Sequence, residues 1–441
     1  MSSKRKLEVV IVGGGIGGAS AAIFLSSIEG INVTVLENRP GRSSEVEGGI
    51  LMLGPNGMNV LKGLGVSAHL LSRPNGVPVQ WLSILDSAGG YIGKVPQGST
   101  ARYGFSSTMI IRWDILEVLL DEVEKRRIPI RWNSKVVGLE QMSDGAIVRW
   151  TEGGTEHEKK VDLLVGSDGI WSNVRTLMYK GLGLATPKPV YSGLLGTGGF
   201  VDSASIPGIG DYFNAERPVV VIHGCRGFIC LSQIDKEAKR IAWWATYEAA
   251  DRSREEWQIP RDEIFKELNR RFSDWAFPVS QILEVAEKST AKAPLLWPIS
   301  EVEGLPHWHN DGTVVLIGDA AHAMPPHSAQ GASQALEDAA HLGHLLRQYM
   351  SSSGEQEASL SDIRSVLSTF QKAREGRVGE IIAKANQRGD QKRDISAFGM
   401  FVRKWGMKLV IMFMQESWMD GWFGYQVPGI DEWEKSRKSS A

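Results

Sequence analysis

The stretch VVIVGGGIGGASAAIFL, residues 9–25, sets five glycines in six positions between two apolar runs, and few chain geometries accommodate that pattern. The preceding LEVVIV is short, β-branched and continuously apolar, as in a strand buried on both faces. The following IGGASAAIFLSSI is small, then apolar, and compatible with a helix. The glycines therefore mark a β-to-α turn. Gly13, Gly15 and Gly18 have G-x-G-x-x-G spacing. The first glycine permits the tight turn, the second lets the backbone approach a pyrophosphate, and the third lets helix and strand pack closely. A second strand, NVTVLE, ends at Glu37, whose carboxylate suits a hydrogen bond to an adenosine ribose hydroxyl and repels a 2′-phosphate. FAD or NAD fits such a site better than NADP. The helix N-terminus adds free N–H groups and about half a positive charge to hold the pyrophosphate. A mobile loop is the competing reading of the glycines alone; the strand before, the helix after and the acid at the next strand end favour a dinucleotide.

Other properties narrow the partners. A chain of 441 residues, 42% apolar and 23% charged, buries a large core and divides into two or three domains. Its 49 basic and 51 acidic side chains nearly cancel, so no field draws in nucleic acid or an anionic membrane surface, and neither is expected as a partner. Cys225 and Cys230, in HGCRGFIC, match neither a zinc site nor a redox pair and read as two reduced thiols; no metal is expected. The first apolar run is already a strand and none is long enough to span a bilayer, so the expected location is cytoplasmic.

Two more glycine-rich stretches follow: DLLVGSDGIWSNVR at 162–175 and TVVLIGDAAHAMPPHSAQGASQALEDAAHLGHLL at 313–346. In order and character, the three stretches resemble the motifs of the group A flavoprotein monooxygenases. This para-hydroxybenzoate hydroxylase-like family includes members from fungal secondary metabolism, and the resemblance runs to about residue 385. It implies an α/β fold: a Rossmann-like FAD-binding domain with an inserted antiparallel-sheet substrate domain and C-terminal helices. The expected divisions are 1–185 and 295–385 for the two parts of the FAD-binding domain, 186–294 for the sheet domain and 386–441 for the C-terminal helical segment.

Within the third stretch, Asp319 follows a buried strand at the end where ligands of open α/β sheets lie. By resemblance it accepts hydrogen bonds from the ribityl hydroxyls of FAD; its competing role is a turn or helix cap. A helix is expected from about Ala329, with Ala335, Leu336, Ala339, Leu342 and Leu346 as its apolar stripe. Its first N–H groups, near Gln330, Gly331 and Ala332, would stabilise the negative charge of reduced flavin. Pro325 and Pro326 stiffen the loop that the resemblance places between flavin and substrate. In the second stretch the Asp168–Gly169 pair is implied in the flavin site and in the pyridine-nucleotide reaction, with Arg175 in the same signature. An ordinary turn is the alternative for that pair. Arg112 matches the arginine reaching the flavin diphosphate or ribityl chain, Gly48 and Gly49 the close backbone approach to flavin, and Arg42 is a further candidate there.

From about 186 to 294 the sequence turns to alternating, glycine-interrupted apolar runs, read as an antiparallel sheet over the substrate cavity. Trp243 and Trp244 alternate faces, so at most one reaches that cavity. Some phenol-hydroxylating relatives carry an arginine where this chain has Gly198, which points to a neutral ring, an indole or an alkene as substrate. His322 is expected in a structural hydrogen bond, whereas Pro326 and His327 are the candidates for substrate contact; His307 and His309 complete the histidines near the site. The Met- and aromatic-rich end of the chain, from about residue 390, is open to packing on the flavin domain, to a dimer face or to membrane-surface contact, in that order.

A second dinucleotide fingerprint and the halogenase signature W-x-W-x-I-P are both missing, so NADPH or NADH would visit transiently. The activity implied is monooxygenation with NAD(P)H and O2 through a flavin C4a-hydroperoxide, by hydroxylation or epoxidation of a small molecule, in a monomer or homodimer. A flavin dehydrogenase or reductase on the same scaffold and a non-catalytic flavin-binding regulator remain as alternatives.

Overall fold

The computed structural model describes residues 6–42, 49–214, 216–253, 255–289, 294–352 and 360–439. Five strands form a parallel sheet in the spatial order Val314–Leu316, Leu163–Gly166, Leu7–Val12, Ile31–Leu36, Ile130–Arg131. Leu7–Val12 lies at its centre, and Val9, Val10 and Ile11 are fully buried, as a strand covered by helices on both faces requires. The helix Ile16–Ser26 leaves the glycine turn and packs against the long helix Gly331–Ser352. This Rossmann-like unit gathers the N-terminal strand, the second glycine-rich strand and the third into one core, although they are far apart in sequence.

A seven-stranded sheet forms the second unit, in the order Leu295–Glu301, Val190–Asp202, Arg240–Glu248, Gly227–Gln233, Val219–Gly224, Trp81–Asp86, Tyr91–Pro96. Its pairings are antiparallel except that Val219–Gly224 runs parallel to Trp81–Asp86. The sheet is thus wider than the expected 186–294 insert. The short runs WLSILD and YIGKVP, remote in sequence, extend one edge, and Leu295–Glu301 closes the other.

Strand alternation assigns the two faces of this sheet. Val220, Ile222, Ile229, Leu231 and Trp243 face the helices Arg261–Phe272 and Val279–Lys288 in a closed core. Val219, Val221, Phe228, Cys230 and Trp244 face the other way, toward the flavin domain. The C-terminal part does not pack only on the flavin domain. The helix Ala397–Phe413 lies on the sheet edge, with Met407, Ile411 and Met414 against Ile84, Ile92 and Val95. Beyond it Tyr425, Ile430 and Trp433 join the flavin-domain core. The outer face of Ala397–Phe413 leaves Phe398, Phe401, Trp405, Leu409 and Phe413 exposed. Among the described residues no helix is long and apolar enough to cross a membrane, and no cluster of His, Cys, Asp and Glu could hold a metal ion.

Candidate flavin and substrate site

A cavity of about 1060 Å³ opens between the two sheets. Its floor is the glycine turn. Gly13 has φ +99°, and a Cβ there would lie 2.3 Å from the Ser167 carbonyl oxygen; one on Gly18 would lie 1.8 Å from the Gly13 carbonyl oxygen. Both are therefore glycine for packing reasons inside the protein. Gly15 differs: nothing lies within 4 Å of its would-be Cβ, and it caps the helix Ile16–Ser26 without a side-chain hydrogen bond. The first N–H groups of that helix face open space on the cavity wall, the arrangement that receives a phosphate.

Glu37 ties this turn to the second strand. Its Oε2 accepts from the Gly14 N–H at 2.6 Å and its Oε1 from the Arg39 N–H at 2.8 Å, with Arg39 Nε 3.2 Å away. Burial works to raise its pKa, but the hydrogen bonds and charge of Arg39 and the Gly14 amide outweigh this and hold it below the ordinary carboxylate value. Each oxygen retains acceptor capacity for a hydroxyl. Arg39 also donates to the Gly14 carbonyl at 3.1 Å and lies over Trp132; sequence reasoning did not find it.

Arg112 opens the helix Arg112–Lys125, and its N–H donates to the Gly49 carbonyl at 3.1 Å. Its side chain reaches the cavity. Burial in the protein lowers its pKa, Asp319 and Glu37 oppose this, and Arg39 adds to it. Asp319, first residue of the short helix Asp319–His322, is accessible on the same wall and has no hydrogen-bond or ion-pair partner among the described residues.

The loop after it behaves differently from a simple helix start. Pro326–Ser328 forms one turn of 3-10 helix, and Ala329 takes a left-handed φ of +54°, so the long helix begins at Gly331 rather than near Ala329. Pro326, His327, Gly331 and Ala332 line the cavity together with Gly15, Gly49, Arg112, Gly169 and Asp319. Pro325 and Gln330 do not. The Gln330 side chain turns into the core, where it accepts from Asn56 at 2.9 Å and from Gln334 at 3.2 Å.

Asp168 is also turned away from the cavity. It accepts from the N–H groups of Asn173 at 2.8 Å and Val174 at 3.1 Å and from the Ser172 hydroxyl, so it caps the helix Asn173–Gly181. Burial raises its pKa despite those hydrogen bonds. Arg175 is buried and bridges the carbonyls of Ala320, Ile170 and Pro187. His322 Nε2 lies 2.6 Å from Asp338 Oδ2, the structural bond expected for it. His307 and His309 belong to the segment over Tyr179 and Trp308, away from the cavity lining. Arg42 points outward to Asp121, Glu117 and Glu124. Gly48 lies outside the described residues.

A buried ionic network, not evident in sequence, holds the Asp319 loop. Asp338 accepts from the Gly318 N–H at 2.8 Å and from Arg374 Nε at 2.7 Å; Glu337 accepts from Arg374 and Arg377 and from Asn56. One wall of the substrate side of the cavity is apolar, made by Leu82, Met109, Val219, Val221, Phe228 and Trp244. The open cradle at Gly15, together with the side chains of Arg112 and Asp319, neither of which is paired among the described residues, is what an extended dinucleotide needs along its length. The cavity beyond them has room for a ring system and a second molecule.

Comparison with known proteins agrees. Residues 6–362 match the family described as FAD binding domain. A salicylate hydroxylase of Pseudomonas putida is 32% identical over 362 residues, covering 78% of each chain. The FAD-dependent monooxygenase paxM of Penicillium paxilli is 30% identical over 395 residues, covering 86% of this chain and 77% of paxM. Among solved structures, Klebsiella pneumoniae HpxO with FAD and uric acid superposes with a TM-score of 0.75 at 22% identity, covering 95% of this chain and 96% of that one. The chain therefore belongs to the FAD binding domain family, and it is an FAD-dependent monooxygenase.

Proposed function

We propose that the protein uses NADH or NADPH and O2 to hydroxylate or epoxidise a small aromatic, indole or alkene substrate, in a secondary-metabolic setting. The observation that carries this reading is the continuity of one cavity from the Gly15 cradle to the apolar wall around Trp244. In it, Gly15 and Arg112 would hold the diphosphate and Asp319 the ribityl chain; Glu37, buried on the Gly14 and Arg39 amides outside the cavity lining, would accept from an adenosine ribose hydroxyl at its edge. Asp168 would act through the turn it caps, by fixing Gly169 on the cavity wall. When bound, FAD supplies the redox chemistry and the activation of O2. The protein orients the reactants and excludes water. The N–H groups at the start of Gly331–Ser352 supply positive potential beside Pro326, and the proline contributes no N–H of its own. The apolar wall keeps water from the reacting atoms. The substrate sheet offers Trp244 to the substrate ring and keeps Trp243 in its back core.

The test is incubation of the FAD-loaded protein with NADPH or NADH, isotopically heavy O2 and an extract of small molecules, followed by mass spectrometry. One heavy oxygen in a new product is the expected result. Products altered only in hydrogen content would replace the reading with a dehydrogenase or reductase. Asp319→Ala is expected to lose FAD; stoichiometric retention would remove the third motif from the flavin site.

A further inference from the structure

The charges on the cavity wall are lopsided. Asp319 is the one carboxylate among its described lining residues, against Arg112, Arg388, Lys392 and Arg403. Arg112 and Asp319 feel each other's charge and belong to the flavin end. The other three cations enter from the C-terminal segment: Arg388 and Lys392 at and just beyond the end of the helix Leu360–Asp390, and Arg403 from Ala397–Phe413.

Their sequence neighbours are paired and they are not. Arg393 meets Glu248 and Asp390 at 3.2 Å each, and Lys404 meets Asp86. No carboxylate lies within ion-pair distance of Arg388, Lys392 or Arg403 among the described residues. Arg388 lies 4.0 Å over the Trp422 ring, and Arg403 donates to the Gln391 carbonyl at 2.7 Å. Lys392 Nζ is 3.0 Å from His327 Nδ1 and 4.1 Å over the Phe228 ring. A lysine has three N–H donors, so these two contacts leave one for a ligand.

Among the described residues, the groups facing Lys392 supply no negative charge. His327 approaches from the proline loop, His223 and Cys230 from the large sheet, and Arg388 from the preceding helix turn. Burial, with Lys392 and Arg393 beside it, pushes His327 down to about 2, and burial with Lys392 and Arg403 takes His223 to about 3. Both imidazoles are neutral at physiological pH. Burial pushes the Cys230 thiol up, so it stays protonated. Neutral His327 accepts at Nδ1 and carries its proton on Nε2. A Cβ on Gly389 would come within 2.6 Å of its ring, so the absence of a side chain there lets the ring sit where it positions Lys392. Desolvation brings Lys392 itself down to about 7 and Arg388 to about 10. Arg388, Lys392 and Arg403 are half-buried, and partly desolvated cations that lack a counter-charge are costly to hold together unless an anion joins them.

We propose that Lys392, backed by Arg388 and Arg403 and positioned by His327, is a subsite for an acidic group of the substrate, a carboxylate or an ionised ring hydroxyl. The assignment rests on the monooxygenase reading and narrows its substrate class. It also revises the neutral-substrate expectation drawn from Gly198. A Cβ at that position would lie 2.4 Å from the Trp243 carbonyl oxygen, so this sheet has no place for an arginine there, and the positive charge comes from the C-terminal segment instead.

The experiment uses the FAD-loaded full chain. Benzoate and salicylate are titrated against benzamide and methyl benzoate, read by the flavin absorbance change and by stimulation of NADPH oxidation. At pH 6 the anions should bind at least about tenfold more tightly than the neutral compounds, a margin that shrinks by pH 8.5 as Lys392 loses its proton. Lys392→Met should abolish the preference with FAD content unchanged, and Lys392→Arg should restore most of it and flatten its pH dependence. Equal binding of neutral compounds, an unchanged preference in Lys392→Met, or no binding of any carboxylate at millimolar concentration overturns the subsite. An effect of Lys392→Met confined to the KM for NADPH does so too, by assigning the charge to the nucleotide phosphates. A preference for anions without heavy-oxygen incorporation would instead keep the subsite and sink the monooxygenase reading.

Discussion

Arg374→Met isolates the network beneath the Asp319 loop. Arg374 is fully buried and donates to Asp338 Oδ1 at 2.7 Å, Glu337 Oε2 at 2.6 Å and Gln334 Oε1 at 2.7 Å. Burial opposes the charge on all three ions, yet their mutual attraction prevails: both carboxylates lie below their ordinary pKa and the guanidinium above its own. Removing one partner of a buried ion pair costs about 3–5 kcal/mol. Arg377 still reaches Glu337 and His322 still reaches Asp338, so the loss belongs at the lower end, about 3 kcal/mol. An unfolding entropy of about 2.1 cal/mol/K per residue over 441 residues converts this to a fall of roughly 3 °C in Tm. The pH dependence is a second signature. In the native protein the carboxylate stabilisation is full above the ordinary carboxylate range and is lost only as pH falls through the depressed folded values. In the variant, uncompensated burial raises those folded values, so its deficit grows as pH rises through the carboxylate range. The deficit measured by urea unfolding of the apoprotein should be larger at pH 8 than at pH 5. A deficit under about 1 kcal/mol at pH 8, or one independent of pH, would refute the ionic account of this network.

Gly15→Ala should weaken FAD binding at least about tenfold, some 1.4 kcal/mol, while moving apoprotein stability by no more than about 1 kcal/mol. Its Cβ meets nothing in the protein, and equilibrium dialysis with unchanged FAD affinity would remove the phosphate from that cradle. Gly18→Ala, with its Cβ 1.8 Å from a carbonyl oxygen, should fail to accumulate as folded protein on size-exclusion chromatography. Trp243→Ala removes a ring from the closed back core and should cost about 3–5 kcal/mol in urea unfolding. Trp244→Ala opens the cavity wall and should change the fraction of NADPH oxidation coupled to product; a reversed pattern between the two would mean the sheet faces are misassigned.

The flavin half of the molecule was legible because its signals are local. A continuous apolar strand, a glycine turn and a helix are contiguous in sequence, and Gly13 and Gly18 proved indispensable to the packing of that turn. Asp319 could be placed for the same reason, since it directly follows a buried strand. Where a side chain had two possible partners, sequence supplied only one: Glu37 reads as a ribose acceptor, yet its first partners are the amides of Gly14 and Arg39. Asp168 and Gln330 show the same limit, because a cap on Asn173–Gly181 and a bond to Asn56 depend on backbone directions that spacing does not encode. The wider sheet escaped notice because two of its three strands outside 186–294 come from a segment distant in sequence, and the third begins just past the expected boundary.

The cationic side of the cavity had the weakest signal of all. The run R-G-D-Q-K-R-D at 388–394 carries five charges and no apolar period, and in the structure Asp390, Gln391 and Asp394 are exposed while Arg388, Lys392 and Arg393 are partly covered. Lys392 and Arg393 are neighbours of identical charge; one faces Phe228 and His327 inside the cavity while the other pairs with Glu248 and Asp390. Periodicity assigns faces only where the backbone is regular, and these residues follow the last turn of a helix, where no period applies. What separates them is what each meets on the large sheet, which arrives from more than a hundred residues earlier: Lys392 lies over the Phe228 ring, whereas Arg393 finds the Glu248 carboxylate and donates to the Ser192 carbonyl at 2.8 Å. Substrate charge preference in this chain is therefore set by a contact between remote segments, so a change in the length of the 391–396 connection should alter it even with every charged residue retained.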